Sequence, residues 1–402
     1  MVDMARLDAD WNRFCEKARS EELRDRSLAA HEFPEYTEDG VWWRSAWDRF
    51  SEIRGKDYDH GNWSVGFWFG TRWLSGPVDG RPASVADHAE RWSYLEQRAS
   101  DITTHDIGFL FHPSVAFGHH VGAVPSRQLD AGLRAAESLA LRFNRNGDYL
   151  QAFGPIGHPA TVGTSTMDTM MNLPLLWWAG RLPRRESLWD VAVRHARSTA
   201  RVFFRPDGST YHLVRYDPTS GGIAWRGTFQ GSGDDSCWSR GQAWAIAGYA
   251  WAHLATGEQE FCDVAEWAAD YFLANVAEGE LPLWDFGSAA RENPVPDASA
   301  AAITALGLLI LATTVSDPVR AERHRAAALR LLEPCGRIAE EKQDEDGLLP
   351  YGCYSIPHGR GVWGSTMWGD FYYGLALAVA TGRIRAEDLH HPLGVEDLED
   401  EA

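Results

Sequence analysis

The sequence has no stretch of 18 apolar residues free of charge, although apolar residues make up 44% of its 402 positions. A helix that spans a membrane needs about 20 such residues in a row. No transmembrane helix and no membrane partner are therefore predicted. The first 25 residues are charged throughout and lack the apolar segment of a secretory signal, so we expect a cytoplasmic location.

Cysteine is scarce, and its spacing forms no recognisable site. The five residues, Cys15, Cys237, Cys262, Cys335 and Cys353, are odd in number, and no two of them make a CxxC pair. This pattern argues against a disulfide framework and against a zinc site, and it fits a reducing compartment. No metal site is predicted.

Positive charge is also in short supply. The chain carries 38 Lys and Arg against 57 Asp and Glu, a formal net charge of −19. A surface this acidic repels phosphate backbones, so nucleic acid is not an expected partner. An anionic ligand would need a local cluster of Arg and His that opposes the overall field.

Tryptophan, in contrast, is abundant. Core packing explains any single one of the 19 tryptophans. A surplus beside loop residues instead favours a carbohydrate site, because the flat ring of Trp can stack on the C–H face of a pyranose. The tryptophans that lie within three residues of Gly, Asp or Arg include Trp63, Trp68, Trp238, Trp244, Trp363 and Trp368.

An internal repeat organises most of the chain. Each repeat has an amphipathic helix, a turn that contains Gly, a short polar and aromatic stretch, and a second, more apolar helix; the turns recur roughly every 60 to 75 residues. The four clearest pairs are 127–144 with 165–180, 186–204 with 236–257, 260–276 with 297–314, and 318–342 with 365–382. Two weaker pairs precede them: an N-terminal helix with 62–74, and 84–103 with 106–121.

The two helices of each pair differ in character. The first is charged on one face, which is typical of an outer helix, and the second is apolar nearly all round, which is typical of a buried one. Six such pairs predict an all-α (α/α)6 barrel, with short β hairpins such as 209–216 in the cleft loops; an open helical solenoid is the alternative. We expect residues 1–390 to form a single domain and the acidic segment 391–402 to be a disordered, solvated tail.

Two aspartates fall where inner helices are predicted to begin. Asp106 opens the second inner helix, and Asp168 lies in the first turn of the third. An acidic residue there can simply cap the helix or complement its dipole. Because Ser165 or Thr166 is available as the cap, Asp168 is free for another role, and its neighbouring methionines would raise its pKa. Both aspartates are therefore candidates for acid and base catalysis.

A third segment places an arginine near the start of a buried helix. Trp238, Arg240 and Trp244 follow one another at helical spacings there. A helix N-terminus disfavours a cation, and a buried charge needs a partner. The partner of Arg240 is either a substrate carboxylate, held by the guanidinium fork, or Asp234 or Asp235 in a salt bridge.

Several of these segments also carry a family resemblance. HDIGFLF, MDTMMNLPLLWWA and SCWSRGQAWAI resemble stretches of the unsaturated glucuronyl hydrolases of glycoside hydrolase family 88, and the similarity runs from WSVGFWFG near residue 63 to GSTMWGDFYYGLALA near the end. It implies that Asp168 is the catalytic aspartate and that Asp106 assists it. It also implies that the sugar and its carboxylate are held by His212, Gln230, Arg240 and Trp244, with Trp63 and Trp238 stacking on the substrate and Ser365 binding near the cleft mouth.

The resemblance implies a specific reaction. The enzyme would remove a 4,5-unsaturated glucuronic acid from the non-reducing end of a small anionic oligosaccharide of the glycosaminoglycan type, by hydrating the C4=C5 bond, with no metal or organic cofactor. The chain would act as a monomer or homodimer. It departs from the family pattern at Phe153, where members often carry Trp, so the preference at the second sugar subsite stays open.

Three other functions compete with this one. The family 105 enzymes, which remove unsaturated galacturonate from rhamnogalacturonan, share the fold and the chemistry, but the set of His212, Gln230 and Arg240 favours the glucuronyl activity. A sugar 2-epimerase would use paired histidines, and the pair at 119–120 lies toward the end of an inner helix, away from the expected cleft. A non-catalytic sugar-binding protein would explain the tryptophans but not the two carboxylates.

Overall fold

The computed structural model describes residues 4–48, 61–76 and 83–399. The α-helices of these residues are α1 (Met4–Asp25), α2 (Val65–Ser75), α3 (Ala89–Gln97), α4 (Ile107–Phe111), α5 (Phe117–His120), α6 (Leu129–Ala140), α7 (Leu173–Ala179), α8 (Glu186–Val202), α9 (Ser239–Thr256), α10 (Gln259–Ala274), α11 (Ser288–Glu292), α12 (Ala298–Thr314), α13 (Pro318–Glu341), α14 (Met367–Ala380) and α15 (Glu396–Glu399). The strands are β1 (Glu32–Glu38), β2 (Val41–Ala46), β3 (Phe143–Asn144), β4 (Tyr149–Leu150), β5 (Thr164–Thr166), β6 (Leu213–Tyr216), β7 (Ile223–Gly227), β8 (Gly352–Ser355) and β9 (Arg360–Gly364).

The apolar helices form a closed inner ring. Its members, in chain order, are α2, the α4–α5 segment, α7 with the 3₁₀ turn before it, α9, α12 and α14; each contacts the next, and α14 contacts α2. Outside this ring, α1, α6, α8, α10 and α13 pack against the inner helices, and α3 presents Trp92 to Phe69 of α2 with the ring centres 5.4 Å apart. The predicted (α/α)6 barrel is confirmed.

Burial explains the composition of the inner helices. Every residue of α12 from Ala298 to Leu311 is buried, as expected for a helix that is apolar on all sides. α12 also approaches α9 closely, because a Cβ added to Gly307 would lie only 2.9 Å from the Cα of Ala247. Gly307 therefore allows these two inner helices to pack closely against each other.

The second inner helix is interrupted, which the sequence pattern did not predict. Between α4 and α5 the residues His112–Ala116 form a π turn. Pro113 lies within it, and a proline has no N–H to continue the helical hydrogen-bond ladder. The segment predicted as one helix over 106–121 is therefore two short helices on either side of a wider turn.

The small sheets lie in the loops that enter the inner helices. β5, β6 and β7 form a three-stranded antiparallel sheet in which Ser165 pairs with Val214 and Thr166 with Leu213. The hairpin predicted near 209–216 is thus present as β6 and β7, with β5 as an added strand. This third strand joins the loop before α7 to the loop before α9.

The packed chain continues past the predicted domain end at residue 390. Leu393 is fully buried, and its backbone N–H donates to the carbonyl of Trp178 at 2.8 Å. Residues 400–402 of the predicted tail lie outside the described residues. Within the described ranges, no helix combines the length and the apolar character needed to cross a membrane.

Candidate active site

The sheet of β5 and β6 brings Asp168 to His212. The backbone N–H of Met167 donates to the carbonyl of His212 at 3.0 Å, which continues the strand pairing by one residue. The Nε2 of His212 then lies 3.4 Å from the Oδ2 of Asp168. Asp168 sits in the 3₁₀ turn Met167–Met171, whose cap residue is Thr166, and it is not used as a helix cap.

His212 is held on both faces and at one edge. Its ring centre lies 4.3 Å from that of Phe229 and 4.4 Å from that of Trp238. Its Nδ1 is 3.2 Å from the hydroxyl of Thr228. These contacts fix the imidazole so that Nε2 points at Asp168, and they place Trp238 in the site, where the sequence put it.

Asp106 is held by a separate set of hydrogen bonds. It occupies the cap position of α4, but its side chain makes no capping bond; one carboxylate oxygen accepts from the Thr104 hydroxyl at 2.7 Å. The other oxygen lies 3.2 Å from the Nε2 of His105, whose Nδ1 is 2.7 Å from the hydroxyl of Thr169. The His105 ring therefore links Asp106 to the residue next to Asp168.

The pKa of His105 fixes the direction of these bonds. Burial lowers the pKa of His105 by more than the nearby charges of Asp106 and Asp168 raise it, so the ring is neutral near pH 7. A neutral ring has one N–H. Donation from Nε2 to the Asp106 carboxylate leaves Nδ1 to accept from the Thr169 hydroxyl.

Asn172 connects the two backbone segments that carry the aspartates. The Oδ1 of Asn172 accepts from the backbone N–H of Phe109 at 2.6 Å, and its Nδ2 donates to the carbonyl of Asp168 at 3.2 Å. Gly108 permits this contact, since a Cβ there would lie 2.5 Å from the Cα of Asn172. The start of α4 and the turn before α7 are thus fixed relative to each other.

Asp168 differs from the sequence-based expectation in its proton affinity. Burial raises the pKa of Asp168, but the hydrogen bond and charge of His212, together with the charge of His105, outweigh burial and hold the pKa below its ordinary value. The expectation that apolar methionines would raise this pKa is wrong in direction. The Asp168 carboxylate is therefore ionised without substrate, and the nitrogen beside it is the Nε2 of His212.

Arg240 has a partner within the protein. It is fully buried and lies 2.5 Å from Asp297, and it donates to the carbonyls of Cys353 at 2.5 Å and Tyr354 at 2.6 Å. Neither of the predicted partners, Asp234 and Asp235, is the one found. Three of the five guanidinium N–H groups are engaged in this way.

The hairpin of β8 and β9 forms one wall of the site. The Tyr354 carbonyl also accepts from the Nε2 of Gln230 at 3.2 Å, and the Tyr354 hydroxyl accepts from the Nε1 of Trp63 at 3.0 Å. Trp63 in turn packs on Trp368, with ring centres 4.6 Å apart. Gln230, Trp63 and Arg240 are therefore joined through Tyr354.

Phe153 lies on the other side, beside Asp106. Its ring centre is 5.8 Å from that of His105 and 5.5 Å from that of Phe229. Phe153 pairs with Thr104 through an isolated β-bridge, which holds it next to the Asp106 hydrogen bonds.

Two implied substrate-binding residues are buried under the site. Trp244 is 1% exposed and packs between Phe109 and Tyr372, with ring centres 5.3 and 5.4 Å away. Ser365 is also 1% exposed, and its backbone N–H donates to the hydroxyl of Thr37 at 2.8 Å. The loop that carries Ser365 packs against β1, since the backbone N–H of Thr37 also donates to the Ser365 carbonyl at 2.9 Å.

Sequence reasoning missed residues that act through others. His105 directly precedes Asp106 in the HDIG segment, and Asp297 directly precedes the most apolar helix of the chain. Both positions could have marked these residues as candidates. Thr169 and Asn172 gave none, because their roles depend on contacts across the barrel. Tyr354 acts partly through its backbone carbonyl, which no sequence pattern marks.

Replacing Thr169 by Val is expected to lower kcat about tenfold, equivalent to about 1.4 kcal/mol. Val keeps the shape but leaves the Nδ1 of buried His105 without its donor, and such an unmet group costs about 1–3 kcal/mol. Steady-state kinetics should show the loss in kcat more than in KM, with a changed pH profile. Thr169→Ser should restore the wild-type values.

A matched control separates this effect from a general loss of packing. Thr304 on α12 is fully buried, and its hydroxyl has no hydrogen-bond partner in the described structure. Thr304→Val should therefore leave kcat unchanged. Equal activity of the Thr169→Val enzyme and the unaltered enzyme would contradict the positioning role of Thr169.

Comparison with known proteins gives a consistent result. The model of Glycosyl Hydrolase Family 88 matches residues 163–385. The chain is 35% identical to an unsaturated glucuronyl hydrolase of Bacillus sp. strain GL1 over 79% of this chain and 86% of the relative. It is 31% identical to an unsaturated chondroitin disaccharide hydrolase of Streptococcus pyogenes serotype M1 over 79% of this chain and 81% of the relative.

The solved structures agree with the sequence comparison. The crystal structure of the unsaturated glucuronyl hydrolase from Bacillus sp. GL1 superposes with a TM-score of 0.81 at 30% identity, covering 94% of this chain and 96% of that one. The structural similarity therefore extends over nearly the full length of both chains.

Proposed function

The chain belongs to glycosyl hydrolase family 88, and we propose that it removes a 4,5-unsaturated glucuronic acid from the non-reducing end of oligosaccharides left by polysaccharide lyases. The observation that carries this proposal is the position of Asp168, whose carboxylate lies 3.4 Å from the Nε2 of His212, while His105 links its neighbour Thr169 to a second carboxylate, that of Asp106. The names and activities of the relatives support the same substrate class.

The unsaturated uronate dictates how this site would work. Its C4=C5 bond is part of an enol ether, so protonation at C4 forms a C–H bond and leaves positive charge shared by C5 and the ring oxygen. Water then adds to C5 and loses a proton, which gives a hemiketal. Opening of the hemiketal breaks the bond from C5 to the ring oxygen, and the resulting hemiacetal at C1 releases the remaining saccharide.

Asp168 would act first as the acid and then as the base. Because its carboxylate is ionised without substrate, the proton for C4 must be gained as the substrate binds. His212, 3.4 Å away, is placed to supply that proton and to accept it again. After protonation of C4, the ionised Asp168 takes the proton of the attacking water.

Asp106 would contribute its negative charge. The neutral His105 and the Thr104 hydroxyl both donate to it and hold it in place. A fixed anion near the reacting ring stabilises the positive charge that develops at C5. We assign Asp106 this electrostatic role, with no proton transfer of its own.

The substrate carboxylate would lie beside Arg240 and Gln230. Arg240 keeps two N–H groups beyond its three bonds within the protein, and its charge opposes the net −19 of the chain. Trp238 lies under this guanidinium at 4.5 Å. A buried Arg without further water competition makes strong charge-assisted hydrogen bonds to a carboxylate.

A cytoplasmic location and a single catalytic domain belong to the same proposal. All five cysteines are buried free thiols, and this is consistent with a reducing compartment. The proposal includes no metal and no organic cofactor.

The remaining alternatives differ in what they need from the structure. An epimerase would need paired histidines in the cleft, but His120 and His391, whose rings lie 5.4 Å apart, are at the opposite end of the inner helices from Asp168. A family 105 activity would use the same aspartates on unsaturated galacturonate. A non-catalytic binding protein would retain ligand without turnover.

The test is a direct assay of double-bond loss. The purified enzyme, with chelator present, is incubated with an unsaturated chondroitin or hyaluronan disaccharide, and the ultraviolet absorbance of the conjugated double bond is followed. A falling absorbance is the expected result. No change with these substrates but a fall with an unsaturated rhamnogalacturonan disaccharide would transfer the assignment to the galacturonyl activity.

A further inference from the structure

Asp285 is a fully buried carboxylate that the proposed reaction does not use. It is 0% exposed and lies just before α11. Its backbone segment is tied to the start of α9, because the N–H of Phe286 donates to the carbonyl of Cys237 at 2.9 Å and the N–H of Ser239 donates to the carbonyl of Trp284 at 3.1 Å. A buried charge must be compensated by hydrogen bonds, so the donors around Asp285 indicate what it holds.

Four hydrogen bonds reach the Asp285 carboxylate. Its Oδ1 accepts from the hydroxyl of Ser232 at 2.9 Å and from the N–H of Gly287 at 2.7 Å. Its Oδ2 accepts from the N–H of Ser232 at 3.0 Å and from the hydroxyl of Ser236 at 2.8 Å. Three of these four bonds therefore come from one short segment, the glycine-rich loop 231–236.

The glycine-rich loop is shaped around this carboxylate. Residues 231–236 belong to no helix and no strand, so they lack the backbone ladder of a regular element. A Cβ added to Gly231 would lie 2.9 Å from the Oδ2 of Asp285, and one added to Gly287 would lie 2.8 Å from its Oδ1. The two glycines thus let the backbone come close enough to bond to the carboxylate.

The glycine-rich loop lies between two residues of the proposed substrate-carboxylate pocket. Gln230, directly before it, donates to the Tyr354 carbonyl at 3.2 Å, and Arg240 donates to the same carbonyl at 2.6 Å. Trp238, two residues after the loop, lies under the Arg240 guanidinium at 4.5 Å. We propose that Asp285 is a positioning residue, which holds the glycine-rich loop so that this pocket is already formed before the substrate binds.

The proposal concerns substrate capture and not the chemical step. A loop that is fixed in the free enzyme need not be ordered by the substrate, and this lowers the entropic cost of binding. Without the Asp285 anion, part of the binding free energy of the substrate would be used to order the loop. The inference rests on the proposed function, because it takes the uronate carboxylate as the group that Gln230 and Arg240 receive.

Asp285→Asn tests the proposal by two measurements. The amide keeps the size of the carboxyl group, but it has no charge, and its NH2 group must face donors. For an unsaturated chondroitin disaccharide, kcat/KM should fall about tenfold, mainly through KM. In the substrate-free protein, amide hydrogen exchange in the glycine-rich loop should become about tenfold faster, and saturating substrate should slow it again.

Two further variants complete the experiment. Ser232→Ala removes one donor and keeps the carboxylate, so it should raise KM about threefold even if Asp285→Asn fails to fold. Asp317 is the exposed cap of α13 and accepts from the N–H groups of Val319 at 2.8 Å and Arg320 at 3.3 Å. Asp317→Asn makes the same chemical change on an outer helix and should alter neither KM nor the exchange of the loop.

Each contrary outcome is distinct. A fall in kcat with an unchanged KM would overturn the proposal, and so would a raised KM with unchanged hydrogen exchange in the substrate-free glycine-rich loop. If the unaltered enzyme does not consume the disaccharide, the proposed function fails. The exchange rates of the substrate-free proteins then decide by themselves whether Asp285 holds the loop.

Discussion

Asp168→Asn is expected to lower kcat by about 10³ to 10⁴, the upper part of the range for loss of a general acid or base. The amide has the shape of the carboxyl group but neither donates a proton to C4 nor accepts one from water. The fold should be retained, because the nearest contact of the carboxylate is the long one to His212 at 3.4 Å. Single-turnover absorbance decay and a thermal unfolding curve measure the two effects separately.

The controls for Asp168 come from the same chain. Asp106→Asn should lower kcat less than Asp168→Asn does, because Asp106 supplies charge without transferring a proton. Asp263 on α10 is exposed and distant from the cleft, so Asp263→Asn should have no effect on kcat. An Asp168→Asn enzyme with near-normal turnover would remove Asp168 from the mechanism.

Removing one partner of the Arg240–Asp297 pair is expected to destabilise the fold by about 3–5 kcal/mol. In Arg240→Met the Asp297 carboxylate, which is 0% exposed, stays buried without its cation, and two hairpin carbonyls lose their donor. The midpoint of urea denaturation should fall accordingly. Activity should fall as well, since Tyr354 and Gln230 lose their fixed positions.

A second substitution tests the physical cause. Asp297→Asn on top of Arg240→Met removes the unpaired charge while one oxygen can still accept from the N–H of Ser299 at the start of α12. The double variant should therefore regain part of the lost stability. The exposed pair Arg383 and Asp8, at 2.8 Å, is the comparison, and breaking it should cost about 0–1 kcal/mol.

Equal costs for the two pairs would contradict this interpretation. They would show that the buried Arg240–Asp297 pair contributes no more to the free energy of unfolding than an exposed salt bridge does. The outcome also bears on substrate binding: a stable Arg240→Met enzyme with raised KM alone would mean that the substrate carboxylate is the main partner of the guanidinium.

The periodic spacing of apolar residues made it possible to predict the barrel from the sequence. The outer helix predicted over 186–204 is found as Glu186–Val202, and the inner helix predicted over 297–314 is found as Ala298–Thr314. Asp297 is its cap and accepts from Ser299. These features are local, because they depend on residues three or four positions apart.

The site could be predicted only in part, because its hydrogen bonds join residues that are far apart in the sequence. The pairing of β5 with β6 brings His212 to Asp168, and that contact reverses the expected direction of the Asp168 pKa. The protein partner of Arg240 is 57 residues away, whereas the sequence pattern offered a substrate carboxylate or the aspartates at 234 and 235. The family resemblance implied which residues contact the sugar, but not which residues hold them in position.

The most direct test of the hydration mechanism is a pair of secondary isotope effects. An unsaturated disaccharide is labelled with deuterium at C4 or at C1 of the uronate, and each is competed against unlabelled substrate. If Asp168 protonates C4, that carbon changes from trigonal to tetrahedral, and we predict an inverse effect at C4 with none at C1. A normal effect at C1 with none at C4 would show attack at the anomeric carbon and would contradict hydration of the double bond.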